Sequence, residues 1–123
     1  MSLEEFIKLK HSKKKHKYNA KPCTSKEGIR FPSTLEKTYF DRLIEAKQKN
    51  QISFFLRQVP FQLPGNTKYI VDFLLYYPDD EIVFVDVKGK MTPMSILKIK
   101  QVEALYPIKI KIVDKNYLTN NFI

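Results

Sequence analysis

A chain of 123 residues with 43% hydrophobic content carries enough apolar surface for one folded domain with a real core. Its formal net charge of +9, from 22 Lys and Arg against 13 Asp and Glu, favours an anionic partner, nucleic acid before a membrane surface. The single cysteine, Cys23, excludes a disulfide framework or a cysteine-rich zinc site within one chain, and no apolar run has the length of a signal-peptide core or a bilayer span.

Residues 1–21 read as a basic arm, with a short helical turn near Leu3–Leu9. Seven lysines (Lys8, Lys10, Lys13, Lys14, Lys15, Lys17 and Lys21) follow one another there with no acid between them. Charges at that density repel one another in isolation and release counterions on a phosphate backbone. Lys13, Lys14, Lys15 and Lys17 are therefore candidate DNA contacts; a solubilising or nuclear-localisation-like tail is the plainer alternative. His11 and His16 lie among them without ligand partners at metal spacing.

Residues 22–123 form the expected domain. A small hairpin over 22–32 turns at Lys26-Glu27-Gly28. A helix follows over roughly 33–49, where Ser33 suits the N-cap and Glu36 stands three positions on, as in a capping box. Leu35, Tyr39, Phe40, Leu43 and Ile44 recur along it at helical spacing. Three strand-like runs, about 52–62, 68–77 and 81–88, are separated by Pro64-Gly65-Asn66 and Pro78-Asp79-Asp80, and such short links favour an antiparallel meander. Thr92-Pro93 reads as an N-cap and first helical position, opening a helix that runs to about Tyr106. Ile108–Val113 alternates with period two, and the helix before it lets it run parallel to the 81–88 strand. The fold class is α/β: an α-β-β-β-α-β order, a mixed central sheet and flanking helices.

Within this frame four residues stand out. Asp72 interrupts the apolar run Tyr69–Tyr77, where an unpaired carboxylate is expensive to bury. An edge strand with Asp72 facing water is the alternative, but Asp72, Leu74 and Tyr76 would then share an exposed face. Asp86 and Lys88 close the run Val83–Val87 two positions apart, so both point the same way. Alone they amount to a surface ion pair; beside a second acidic strand at meander spacing, they place two carboxylates within reach of one cation. Mg²⁺ prefers oxygen ligands and often takes one or two carboxylates plus water and phosphate. A nearby lysine stabilises developing negative charge. Glu36 fits the helix cap, yet it also falls within the apolar face of its helix, where a carboxylate needs a partner. Lys98, Lys100 and Gln101 lie on the second helix, either near phosphate or on a solvated face. The same helix carries Met94, Leu97 and Leu105 on one side and Ile96, Ile99 and Val102 on another, which suits either deep burial or a dimer contact.

Glu36 on a first helix, Asp72-Phe73 on a strand and Asp86-Val87-Lys88-Gly89 after it resemble the PD-(D/E)XK, or restriction-endonuclease-like, superfamily, over roughly residues 28–113. Val71 replaces the proline of the superfamily label, a change of strand shape and not of chemistry. Tyr18-Asn19-Ala20-Lys21, Phe31–Glu36, Asp86–Gly89 and Leu97-Lys98-Ile99-Lys100 are similar to small phage-encoded nucleases. The Leu35-Glu36 helix with Asp72–Leu75 and Asp86–Gly89 also looks like the phage junction-resolving endonuclease I family. The resemblance implies that Glu36, Asp72 and Asp86 bind Mg²⁺, with Mn²⁺ able to substitute, and that Lys88 is the catalytic lysine. It further implies an endodeoxyribonuclease that hydrolyses phosphodiester bonds, homodimeric if it follows endonuclease I, but does not settle the substrate. Branched DNA such as Holliday junctions is preferred because a compact chain has little surface for reading base edges. The lack of an apolar leader or span suggests the cytoplasm of a bacterial host and no membrane. A non-enzymatic nucleic-acid-binding module and a restriction- or repair-type nuclease acting on linear duplex are the rivals.

Overall fold

The protein is described here from a computed structural model, over residues 22–25 and 28–123. The basic arm, with its four candidate DNA lysines and both histidines, lies outside the described residues, as do Lys26 and Glu27 of the first turn. Strands β1 (Cys23–Thr24) and β2 (Arg30–Phe31) pair antiparallel as the small hairpin. Gly28 takes the left-handed conformation there (φ 83°), which glycine adopts without steric cost.

Helix α1 (Thr34–Gln48) begins where Ser33 predicts. The Glu36 amide donates to Ser33 Oγ (3.1 Å), half of a capping box. The other half is missing, because the Glu36 carboxyl turns to Asp72. Tyr39, Phe40, Leu43 and Ala46 are buried, the stripe that the spacing predicts.

Strands β3 (Phe54–Leu63), β4 (Thr67–Tyr76) and β5 (Ile82–Val87) form the antiparallel meander. Helix α2 (Pro93–Leu105), capped by Thr92, leads to β6 (Ile110–Val113), which lies parallel to β5. The four-stranded sheet has the order β3-β4-β5-β6. A last helix, α3 (Lys115–Asn120), adds to the expected elements. Six residues are too few for a periodic signal, and its cap, Asp114, is the one local cue. Arg42 Nη1 fixes this helix and the chain after it, donating to the carbonyls of Leu118 and Asn121 at 2.8 Å.

Two apolar clusters fill the interior. One joins α1 to the root of the sheet through Phe73, Leu75, Val85, Val87 and Val113. The other joins α2 to the hairpin tip through Leu63, Tyr69 and Val71, and to β6 through Ile110. Val71 and Phe73 are two positions apart and would share a face of a regular strand, yet they belong to different clusters. The buried face therefore changes sides at Asp72. Gln58, the residue facing Asp72 across the register, has φ 57°, a backbone state rare outside glycine.

This geometry rules out the edge-strand alternative for Asp72 and corrects the face assigned to it. β4 is an interior strand, so Asp72 does not face water from an edge. Nor does Asp72 share the face of Leu74 and Tyr76; its side chain sits in the gap between β4 and β5, bonded to backbone. On α2, Ile99 and Val102 are buried, whereas Met94, Ile96, Leu97 and Leu105 are exposed. Deep burial does not account for the second apolar side of that helix.

Candidate functional site

The site forms where ladder pairing between β4 and β5 gives way to side chains. Regular pairing ends at Phe73↔Val85. One step further, the Asp72 amide donates to Asp86 Oδ1 (3.2 Å) and the Val87 amide donates to Asp72 Oδ2 (2.9 Å). Two carboxylates thus take over the role of backbone carbonyls, which opens the strands while satisfying the amides.

Asp86 is almost wholly buried, at 1% exposure. Its Oδ2 accepts the Tyr69 hydroxyl and lies 3.4 Å from Lys88 Nζ. Lys88 also stands over the Tyr69 ring, 5.6 Å from its centroid, within the range of a cation–π contact. The Lys88 amide donates to Val113 O (2.9 Å), so its backbone is tied to β6. Tyr69 is buried, and that burial, with the adjoining Asp86 charge, holds its hydroxyl far above the usual phenol range.

Glu36 and Asp72 make the contrasting half. Glu36 is 2% exposed, and its Oε2 is buried without a hydrogen-bond partner. Burial pushes its carboxyl above the ordinary value, while the hydrogen bond with Asp72 and the charges of Arg57 and Lys88 pull the other way. Asp72 is raised well above its ordinary value, first by burial, then by the charges of Glu36 and Asp86. Carboxylates at this separation cannot all ionise without a compensating cation.

The four residues singled out by the sequence therefore converge from α1, β4 and the end of β5. Lys98 and Lys100 do not join them: Lys100 is exposed, Lys98 is half-buried, and neither forms an ion pair with the carboxylates. Two further residues belong to the site. Tyr69 was hidden because positions 69 and 72 face oppositely in a regular strand, and only the change of face at Asp72 unites them. Arg57 on β3 stacks over Phe31 (4.3 Å) and Phe40 (5.7 Å), and its charge acts on Glu36. A lone arginine in an apolar strand was its only signal. Among the described residues, no trio of His, Cys, Asp or Glu side chains is arranged to hold a metal ion.

Fold and site together define an α/β domain with a buried acidic cluster answered by one lysine and one arginine. Residues 15–118 match the family described as protein of unknown function (DUF1064), and the chain belongs to that family. No curated protein matches the sequence. Among the described residues, no helix is long and apolar enough to cross a membrane.

Proposed function

We propose that this chain is a metal-dependent DNA endonuclease of the PD-(D/E)XK, or restriction-endonuclease-like, superfamily. The observation that carries the reading is the convergence of Glu36, Asp72, Asp86 and Lys88 at the splayed end of two strands. A divalent cation fits this place on chemical grounds. The Glu36 oxygen is orphaned, and burial, with the neighbouring carboxylate charges, raises the carboxyls of Glu36 and Asp72. Mg²⁺, with Mn²⁺ as substitute, needs only one or two of them, since water and phosphate complete its shell. Asp72 and Asp86 are the expected ligands, with Glu36 alongside.

When bound, the cation supplies a more acidic water and neutralises charge on the phosphate. The chain's residues do the rest. Lys88, held by Asp86 and the Tyr69 ring, presents its ammonium to the oxygen on which negative charge grows. With a cation beside it Glu36 would ionise, and its unpartnered Oε2 would accept a proton from the attacking water. That water forms a new P–O bond as the P–O3′ bond breaks; O3′ leaves with the electron pair and takes a proton from solvent, giving a 5′-phosphate and a 3′-hydroxyl.

Branched DNA such as a four-way junction is the proposed substrate. A small domain reads shape and backbone with less surface than base edges require. A homodimer is proposed with it, supported by the exposed Met94, Leu97 and Leu105 side of α2. Bacterial cytoplasm is the proposed setting. The absence of a three-ligand cage among the described residues favours a second reading, a nucleic-acid-binding module without catalysis.

The test offers labelled four-way junction, flap, linear duplex and single strand with Mg²⁺, Mn²⁺, Ca²⁺ or chelator. The enzyme cuts junctions with Mg²⁺ or Mn²⁺, and Asp72→Asn and Lys88→Ala stop cutting while binding persists. Tight binding by the unaltered chain without cleavage in either metal leaves only the binding module. Equal cutting of linear duplex and junction replaces junction resolution by a restriction- or repair-type activity. Deleting residues 1–17 weakens binding and flattens its salt dependence.

A further inference from the structure

Among the described residues, Tyr69 is the one buried side chain that touches both Asp86 and Lys88. Its hydroxyl donates to Asp86 Oδ2, and its ring lies under Lys88 Nζ at 5.6 Å. It is 8% exposed, packed in the α2 cluster and not in the α1 cluster. A core residue that only filled space would need no hydroxyl, and phenylalanine would serve. Here the hydroxyl has a single acceptor, and that acceptor is also the ion-pair partner of Lys88. Asp86 Oδ1 is meanwhile occupied by the Asp72 amide. With a donor on each oxygen, the carboxylate has one stable rotation about its side-chain bond.

We infer that Tyr69 is the positioning residue of the site: its hydroxyl fixes the rotation of Asp86, and its ring holds the Lys88 ammonium in place. The ring and the hydroxyl act on different groups, so they are separable by substitution. This inference rests on the endonuclease reading for what Asp86 and Lys88 do, but not for how Tyr69 holds them. A hydroxyl that orients a metal-binding carboxylate changes metal affinity by about 10–100-fold when removed. A cation over an aromatic ring gains from the ring's negative face, a contribution that needs no hydroxyl.

Tyr69→Phe keeps the ring and removes the hydroxyl; Tyr69→Leu removes both. Two measurements on the full chain separate the roles. Mg²⁺ binding by calorimetry reads the hydroxyl: Tyr69→Phe weakens it about tenfold with little change in melting temperature. Lysine acylation mapped by mass spectrometry, with exposed Lys100 as internal reference, reads the ring without any metal. Lys88 is modified several-fold faster in Tyr69→Leu and at the wild-type rate in Tyr69→Phe. Unchanged Mg²⁺ affinity in Tyr69→Phe overturns the hydroxyl role, and unchanged Lys88 modification in folded Tyr69→Leu overturns the ring role. If the unaltered chain binds no Mg²⁺, the endonuclease reading falls. The positioning role is then decided by acylation together with the carbonyl NMR shift of Asp86, which moves in Tyr69→Phe only if the hydroxyl holds it.

Discussion

The two halves of the acidic cluster are built differently. Around Asp86 every charge has an answer: two donors reach its oxygens from tyrosine and backbone, and a lysine stands beside it. Around Glu36 a buried oxygen is left without a hydrogen-bond partner, and the adjoining Asp72 is pushed towards its protonated form. The Asp86 half is complete without a ligand, and the Glu36 half is not. A buried group without a partner costs stability, and such a cost persists where function uses it.

Several experiments break or sharpen that contrast. The largest effect is expected on the satisfied half. Asp86→Ala strips the Tyr69 hydroxyl, the Asp72 amide and Lys88 of their shared acceptor, and breaking a buried pair this way costs about 3–5 kcal/mol, measurable by urea denaturation. Lys88→Ala is milder for the fold and severe for cleavage, with a loss of about 10²–10³-fold in turnover. The metal comes next. On the proposed metal-binding reading, Mg²⁺ at a hundred times its dissociation constant raises stability by about 2.7 kcal/mol, a shift that thermal melting detects and that Glu36→Gln reduces.

The unsatisfied half responds in the opposite direction. Glu36→Gln removes a charge that burial disfavours, and without metal the variant is more stable at neutral pH by about 1–3 kcal/mol. The pH dependence has a definite sign. Glu36 and Asp72 are both raised, so the folded chain holds their protons more tightly than the unfolded chain. That stabilisation is whole below their ordinary values, 4.5 and 3.8, and is lost as pH rises through the folded-state values. Metal-free protein therefore softens from acid towards neutral pH, and Glu36→Gln flattens the curve. A flat curve for the unaltered chain would place both halves on an equal footing. The smallest effect belongs to Gln58: Gln58→Gly relieves its left-handed backbone and raises the free energy of unfolding by about 1 kcal/mol, read by urea denaturation.

Much of this arrangement is legible in the residues. Ser33 and Thr92 start the helices, the turns at Gly65 and Pro78 separate the strands, and the order α-β-β-β-α-β follows from period and punctuation. Glu36, Asp72, Asp86 and Lys88 are recognisable because a charge in an apolar run is costly and asks for an explanation. Tyr69 and Arg57 are not, since tyrosine is at home in a strand and an arginine acquires meaning only from what it stacks on. The change of face at Asp72 is equally hidden. It depends on one left-handed residue, Gln58, on the neighbouring strand, and nothing in the period-two pattern of β4 marks it.

That change of face has a consequence for how the molecule breathes. Each apolar cluster includes its own helix, and β4 belongs to both, passing from one to the other at Asp72. Units with separate cores open separately, and their amides exchange with solvent hydrogen at separate rates. Val71 and Phe73 are thus expected to report different opening energies despite their proximity. The carboxylates lie on the seam between those units, so either cluster can loosen the site without unfolding the other. A nucleic acid bound across the seam would lock both units together, slowing exchange on each side at once.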